Sequence, residues 1–162
     1  MRLEEDWLLI ADRNFFGWAD WCTAADSGAA LLWRVKADLT LPVLELLPDG
    51  SYFSVLVNPK IGGKARQALI GAARAGEDLE EGKARRVRVV EYEVPDRDGD
   101  GNGEMIALVT TITEMAAAPA ALLAEAYHQR WVHETSKPQC CHSCGLSASS
   151  SVPSSAVVRS AC

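Results

Sequence analysis

The feature that most constrains this chain is a run of five apolar residues, Trp7-Leu8-Leu9-Ile10-Ala11, closed by Asp12. A short continuous apolar run reads as a strand buried on both faces, as in a parallel sheet. From Asn14 to about Ser27, Phe15, Trp18, Cys22 and Ala25 recur at helical spacing, and Gly28 supplies a stop. The next strand is Ala29 to Lys36 (AALLWRVK). Strand, helix and strand make a crossover unit, which requires the two strands to be parallel. The expected class is α/β.

Beyond this unit the pattern turns antiparallel. Val43 to Leu47 and Tyr52 to Val57 flank Pro48-Asp49-Gly50, whose residues suit a tight turn, so the segment reads as a hairpin. Arg85 to Val94 and Met105 to Thr113 form a second pair of β-rich runs around a Gly/Asp loop. Between the hairpins, residues 60 to 88 carry eight basic and four acidic side chains (Lys60, Lys64, Arg66, Arg74, Lys83, Arg85, Arg86 and Arg88 are the basic ones). That patch either follows a DNA backbone or is a solvated face. Pro119 to about Glu134 is rich in helix formers, with proline at the start. Residues 135–162 hold nine serines and four cysteines without apolar periodicity and read as a disordered tail.

With 162 residues, one domain is expected, and a net charge of -6 argues against gripping nucleic acid by bulk charge. The longest apolar run, Met115 to Ala124, is ten residues and contains Pro119, too short for a bilayer span. An acidic N-terminus argues against a secretory signal. Five cysteines, an odd number, fit a reducing cytosol, so a cytoplasmic location is expected. Cys141-x-x-Cys144 with His142 lacks the second ligand pair of a zinc site. Asp96-x-Asp98-x-Asp100-Gly101 opens like a calcium loop, yet its twelfth position is Ala107, so it reads as a hairpin loop.

On the last helix, Leu123, Tyr127, Arg130 and Glu134 share one face, which becomes charged toward its end. The plain reading is a surface ion pair between Arg130 and Glu134, in the weaker orientation. The functional reading is a guanidinium and a carboxylate delivered beside a sheet, with Asp12 as partner because sites of α/β sheets gather at strand carboxyl ends. Taken alone, Asp12 fits the N-cap of the helix after it. His128 and His133 read as surface residues, and Trp18, Trp21 and Trp33 as core.

Leu8-Leu9-Ile10-Ala11-Asp12-Arg13-Asn14-Phe15, followed by Tyr127-x-x-Arg130-x-x-x-Glu134, resembles insertion-sequence transposases of the DDE superfamily, of the insertion-sequence-four type. The resemblance covers residues 1–134. It implies an incomplete ribonuclease-H-like fold in which the hairpins, about residues 40–113, are a β-rich insertion. It further implies metal-dependent DNA cleavage and strand transfer at transposon ends, using a pair of Mg2+ or Mn2+ ions about 4 Å apart. Asp12 then takes the place of the second acidic metal ligand and Glu134 of the third. Tyr127 and Arg130 match positions that contact DNA phosphates. The first aspartate of the pattern has no counterpart, since eleven residues precede Asp12 and Asp6 lies about 20 Å away in an extended strand. The lysine expected seven positions after Glu134 falls on Cys141, and Lys137 is out of register. The N-terminal DNA-recognition domain of the family is absent as well. The expectation is therefore a transposase fragment, inactive alone. The alternative is a non-catalytic remnant that binds DNA or self-associates.

Overall fold

The computed structural model describes residues 7–36, 38–94, 103–135 and 157–160, with side chains as far as Arg130. The opening run forms β1 (Trp7–Ala11), followed by a short 3-10 turn (Arg13–Phe15), α1 (Trp18–Ala25) and β2 (Ala30–Val35). As expected of a crossover unit, β1 and β2 are parallel, Ile10 lying beside Leu32 and Ala11 beside Trp33. The helix starts later than the spacing suggests, because Asp12 opens a separate 3-10 turn that ends at Phe16 and Gly17, in extended geometry, caps α1.

The hairpins follow as β3 (Glu45–Leu46) with β4 (Tyr52–Val57) and β5 (Ala84–Val94) with β6 (Glu104–Thr110). Gly50, at φ +83°, closes the first turn, a conformation that favours glycine. The hairpins join the same sheet as the crossover unit. β4 pairs with β5, and β6 pairs antiparallel with β2, so six strands form one open sheet in the order β3-β4-β5-β6-β2-β1. A seventh strand, β7 (Val157–Ser160), lies parallel to β1 at the free edge. The rest of the tail expected to be disordered, including its cysteines, lies outside the described residues, as does the Asp96 to Gly101 loop.

Two further helices complete the fold: α2 (Gly63–Arg74), within the segment read only as a basic patch, and α3 (Ala120–Thr135). The sheet is covered on both faces. Trp21 and Ala24 of α1 pack on Leu9, Leu31, Trp33, Val87 and Val109. On the opposite face, Leu123 and Tyr127 of α3 pack on Ile10, Leu32, Val90, Ile106 and Leu108, while Ile70 and Ala73 of α2 pack on Val55, Val57 and Ala84. Strand alternation sends successive residues to opposite faces, which explains why Leu31 and Leu32 serve different cores. Trp21 and Trp33 are core residues, their rings meeting edge to face at 5.4 Å, whereas Trp18 is half-buried.

A buried polar anchor sets the start of α3. Arg88 of β5 is wholly buried and donates to Asp49 Oδ2 (2.5 Å), Ser51 Oγ (2.8 Å) and the Ala118 carbonyl (2.7 Å). Asp49 also accepts the backbone N–H of Ala120 at 2.8 Å and the Ser51 hydroxyl at 2.6 Å. One carboxylate from the first hairpin turn thus caps a helix more than seventy positions later in the chain, satisfying a donor that the helix leaves unpaired.

Candidate functional site

Asp12 continues β1 beyond Ala11, and the alternation that puts Ile10 against α3 turns Asp12 toward the same face. Its carboxylate accepts the Arg13 N–H as the cap of the 3-10 turn, so the capping role read from sequence is present. It is also joined across 118 positions to α3, where Arg130 Nη2 donates to Asp12 Oδ2 at 3.2 Å. The Arg130 side chain is only 6% exposed and that of Asp12 23%.

A second buried guanidinium stands beside this pair. Arg34 follows Trp33 on β2, so it occupies the register position next to Asp12 on the same face. Its residue is 5% exposed, and it is bonded to Glu104 at the start of β6. Arg13 reaches the same carboxylate oxygen at 3.6 Å. Sequence reasoning missed Arg34 although a signal existed: a single charge inside the apolar run Leu31-Leu32-Trp33-Arg34-Val35 needs a partner in the interior.

The other predicted residues divide as follows. Tyr127 is wholly buried in the α3 core, and its hydroxyl has no hydrogen-bond partner among the described residues. Arg130 lies over the Tyr127 ring, its guanidinium carbon 5.3 Å from the ring centre, and faces Asp12 instead of solvent. Glu134 lies on α3 one helical turn beyond Arg130; its side chain, like that of His133, is outside the described set. His128 is half-buried, not a surface residue, and its ring meets that of Tyr92 edge on at 6.0 Å.

The basic segment also divides. Lys60, Lys64, Arg74 and Lys83 are exposed, but Arg88 belongs to the buried anchor. Arg85 is held by Asp26 at 2.6 Å and Glu81 at 3.6 Å, and Arg86 donates to the Ala73 carbonyl at 2.7 Å. These partners neutralise part of what looked like a continuous cationic surface. A cavity of about 450 Å³ opens nearby, lined by Trp21, Ala25, Glu77, Asp78 and Arg85 among others. None of the predicted site residues lines it.

No protein-family model, curated protein or solved structure matches this chain.

Among the described residues, no group of three or more His, Cys, Asp or Glu side chains is gathered closely enough to hold a metal ion. Among the described donors, Asp12 is engaged by the Arg130 guanidinium. No helix among the described residues is long and apolar enough to cross a membrane.

Proposed function

We infer that the chain is a fragment of a DDE-type transposase catalytic domain, derived from an enzyme of metal-dependent DNA cleavage and strand transfer and inactive by itself. The observation that carries this reading is the ion pair between Asp12 and Arg130. It joins the carboxyl end of a buried parallel strand to the helix bearing Tyr127-x-x-Arg130-x-x-x-Glu134, and such strand ends are where α/β sheets gather their sites. Glu134 lies one further turn, about 6 Å, along the same side of that helix.

The same geometry supports the inactive form of this reading. In the family, divalent cations supply a nucleophile and stabilise the leaving oxygen, which takes carboxylates from several chain positions. Here Asp12 faces Arg130, and Tyr127 is packed in the core. The burial of Arg130 and Tyr127 favours the non-catalytic form of the reading, a remnant whose former site is closed by an internal ion pair.

Two measurements test the two halves separately. Translating the neighbouring DNA in all frames should reveal an aspartate-bearing strand upstream and a lysine seven codons past Glu134; finding neither refutes the ancestry. Incubating the full chain with duplex DNA and Mg2+ or Mn2+ should leave the duplex intact, and metal-dependent nicking abolished by Asp12→Asn would refute the inactivity.

A further inference from the structure

The cavity of about 450 Å³ opens where α1 and α2 end beside β5, and it has the size of pockets that hold small molecules. Ala25, the last residue of α1, and Gly76, just past the Ala75 cap of α2, both belong to its wall. Helix C-termini carry partial negative charge, so two of them at one wall favour a cation.

The side chains add to the same sign. Glu77, Asp78 and Glu81 line the cavity, and all three are exposed. Arg85 and Arg86 line it too, but both are already engaged: Arg85 by Asp26 and Glu81, and Arg86 by the Ala73 carbonyl near the end of α2. Glu77 and Asp78 take part in no ion pair among the described residues.

The buried part of the wall makes a different demand. Trp21 is wholly buried and lines the cavity, and its indole Nε1 has no hydrogen-bond partner among the described residues. Native interiors rarely leave a buried donor unanswered, and an indole N–H can only donate, so what completes it is an acceptor. Ala25, Leu79 and Val87 give the same wall apolar surface.

We propose that this cavity binds a small organic ammonium compound with an oxygen acceptor a few carbons from its charge. Glu77 and Asp78 hold the ammonium group, Ala25, Leu79 and Val87 pack on the carbon chain, and the oxygen accepts from Trp21 Nε1. The site shares no residue with the transposase signature, so it stands or falls independently of that ancestry.

The test titrates the isotope-labelled full chain with 4-aminobutanol to about 50 mM, following the indole N–H resonances by nuclear magnetic resonance. Butanediol, with an acceptor and no charge, and butylamine, with a charge and no acceptor, are the comparison probes. Saturable binding with a Kd on the order of 1 mM is expected for 4-aminobutanol, weaker binding for butylamine and no saturation by butanediol. The Trp21 resonance should move more than that of Trp33, whose Nε1 is also buried and unpartnered but which does not line the cavity. The double variant Glu77→Gln, Asp78→Asn changes only exposed side chains, so it should fold as the parent does and bind about 5-fold more weakly. No saturable binding by the parent, equal saturation by butanediol, undiminished binding by the double variant, or binding that leaves the Trp21 resonance in place would each overturn the proposal.

Discussion

Asp49→Asn offers the sharpest probe of how the fold places α3. Burial alone would push the Asp49 carboxyl up, but the Ser51 hydroxyl, the Ala120 and Ser51 amides and the Arg88 guanidinium outweigh it and hold the group at about 2, against an ordinary 3.8. That fall corresponds to about 2 kcal/mol of preference for the charged form in the folded chain. The amide keeps the size of the side chain but leaves Arg88, wholly buried, without its counter-charge. Breaking a buried pair from one side costs roughly 3–5 kcal/mol, and the 18% exposure of the Asp49 side chain places this case near the lower end, about 3 kcal/mol. In thermal unfolding at pH 7 this is a fall of roughly 10 °C for a domain of this size.

The pH dependence provides a second, independent check. Because the folded value lies below the unfolded one, the stabilisation is fully present above the ordinary 3.8 and is lost as pH falls through about 2. Roughly half of the ionisation contribution should be gone by about pH 3. Urea unfolding of both proteins from pH 6 down to pH 2.5 measures the difference directly. An Asp49→Asn cost below about 1 kcal/mol at pH 6, or a difference that stays constant to pH 2.5, would refute the reasoning.

Other substitutions test separate parts of the structure. Leu108→Ala, at a wholly buried position between β5 and β2 under α3, should cost about 3 kcal/mol in urea unfolding, and a cost below 1 would mean that α3 does not cover it. Gly50→Ala meets no neighbouring atom within 4 Å, so its penalty of about 1 kcal/mol comes from the positive φ alone; an unchanged midpoint would argue against that turn. Arg130→Met should cost about 1–2 kcal/mol, since Asp12 keeps some solvent contact and its Arg13 amide bond, and a double mutant with Asp12→Asn should cost less than the sum of the two singles. Strict additivity would show that the pair does not interact.

Local chemistry made much of the architecture readable. Continuous apolar runs mark β1 and β2, and their spacing forces the parallel crossover; Pro48-Asp49-Gly50 marks its turn because proline and glycine restrict and free the backbone where a turn needs it. Helix α2 was hidden because only Ile70 and Ala73 of its twelve residues are buried, so no apolar stripe distinguishes it from a charged loop. Arg88 read as surface charge because its partners Asp49 and Ser51 are remote in sequence; its place between Val87 and Val89 on a strand, aligned with Val90 on the α3 face, was the available signal. The candidate site was legible as residue types and helix spacing. Its outcome was not, since a guanidinium facing Asp12 and a tyrosine packed in the core depend on how α3 docks across the sheet.

The pairing of β2 with β6 brings together positions as remote as 32 and 110. Each half of the sheet can assemble from nearby segments, the crossover on one side and the meander of hairpins on the other, whereas their junction must overcome the entropy of closing a long loop. That junction is accordingly expected to form late in folding, and a delay in acquiring it should appear as slow protection of β2 and β6 amides. Arg34 and Glu104 sit on opposite sides of it, and Asp12 and Arg130 lie beside it. The Arg34–Glu104 pair therefore cannot form in a partly assembled sheet, and a half-folded chain presents those two charges unpaired.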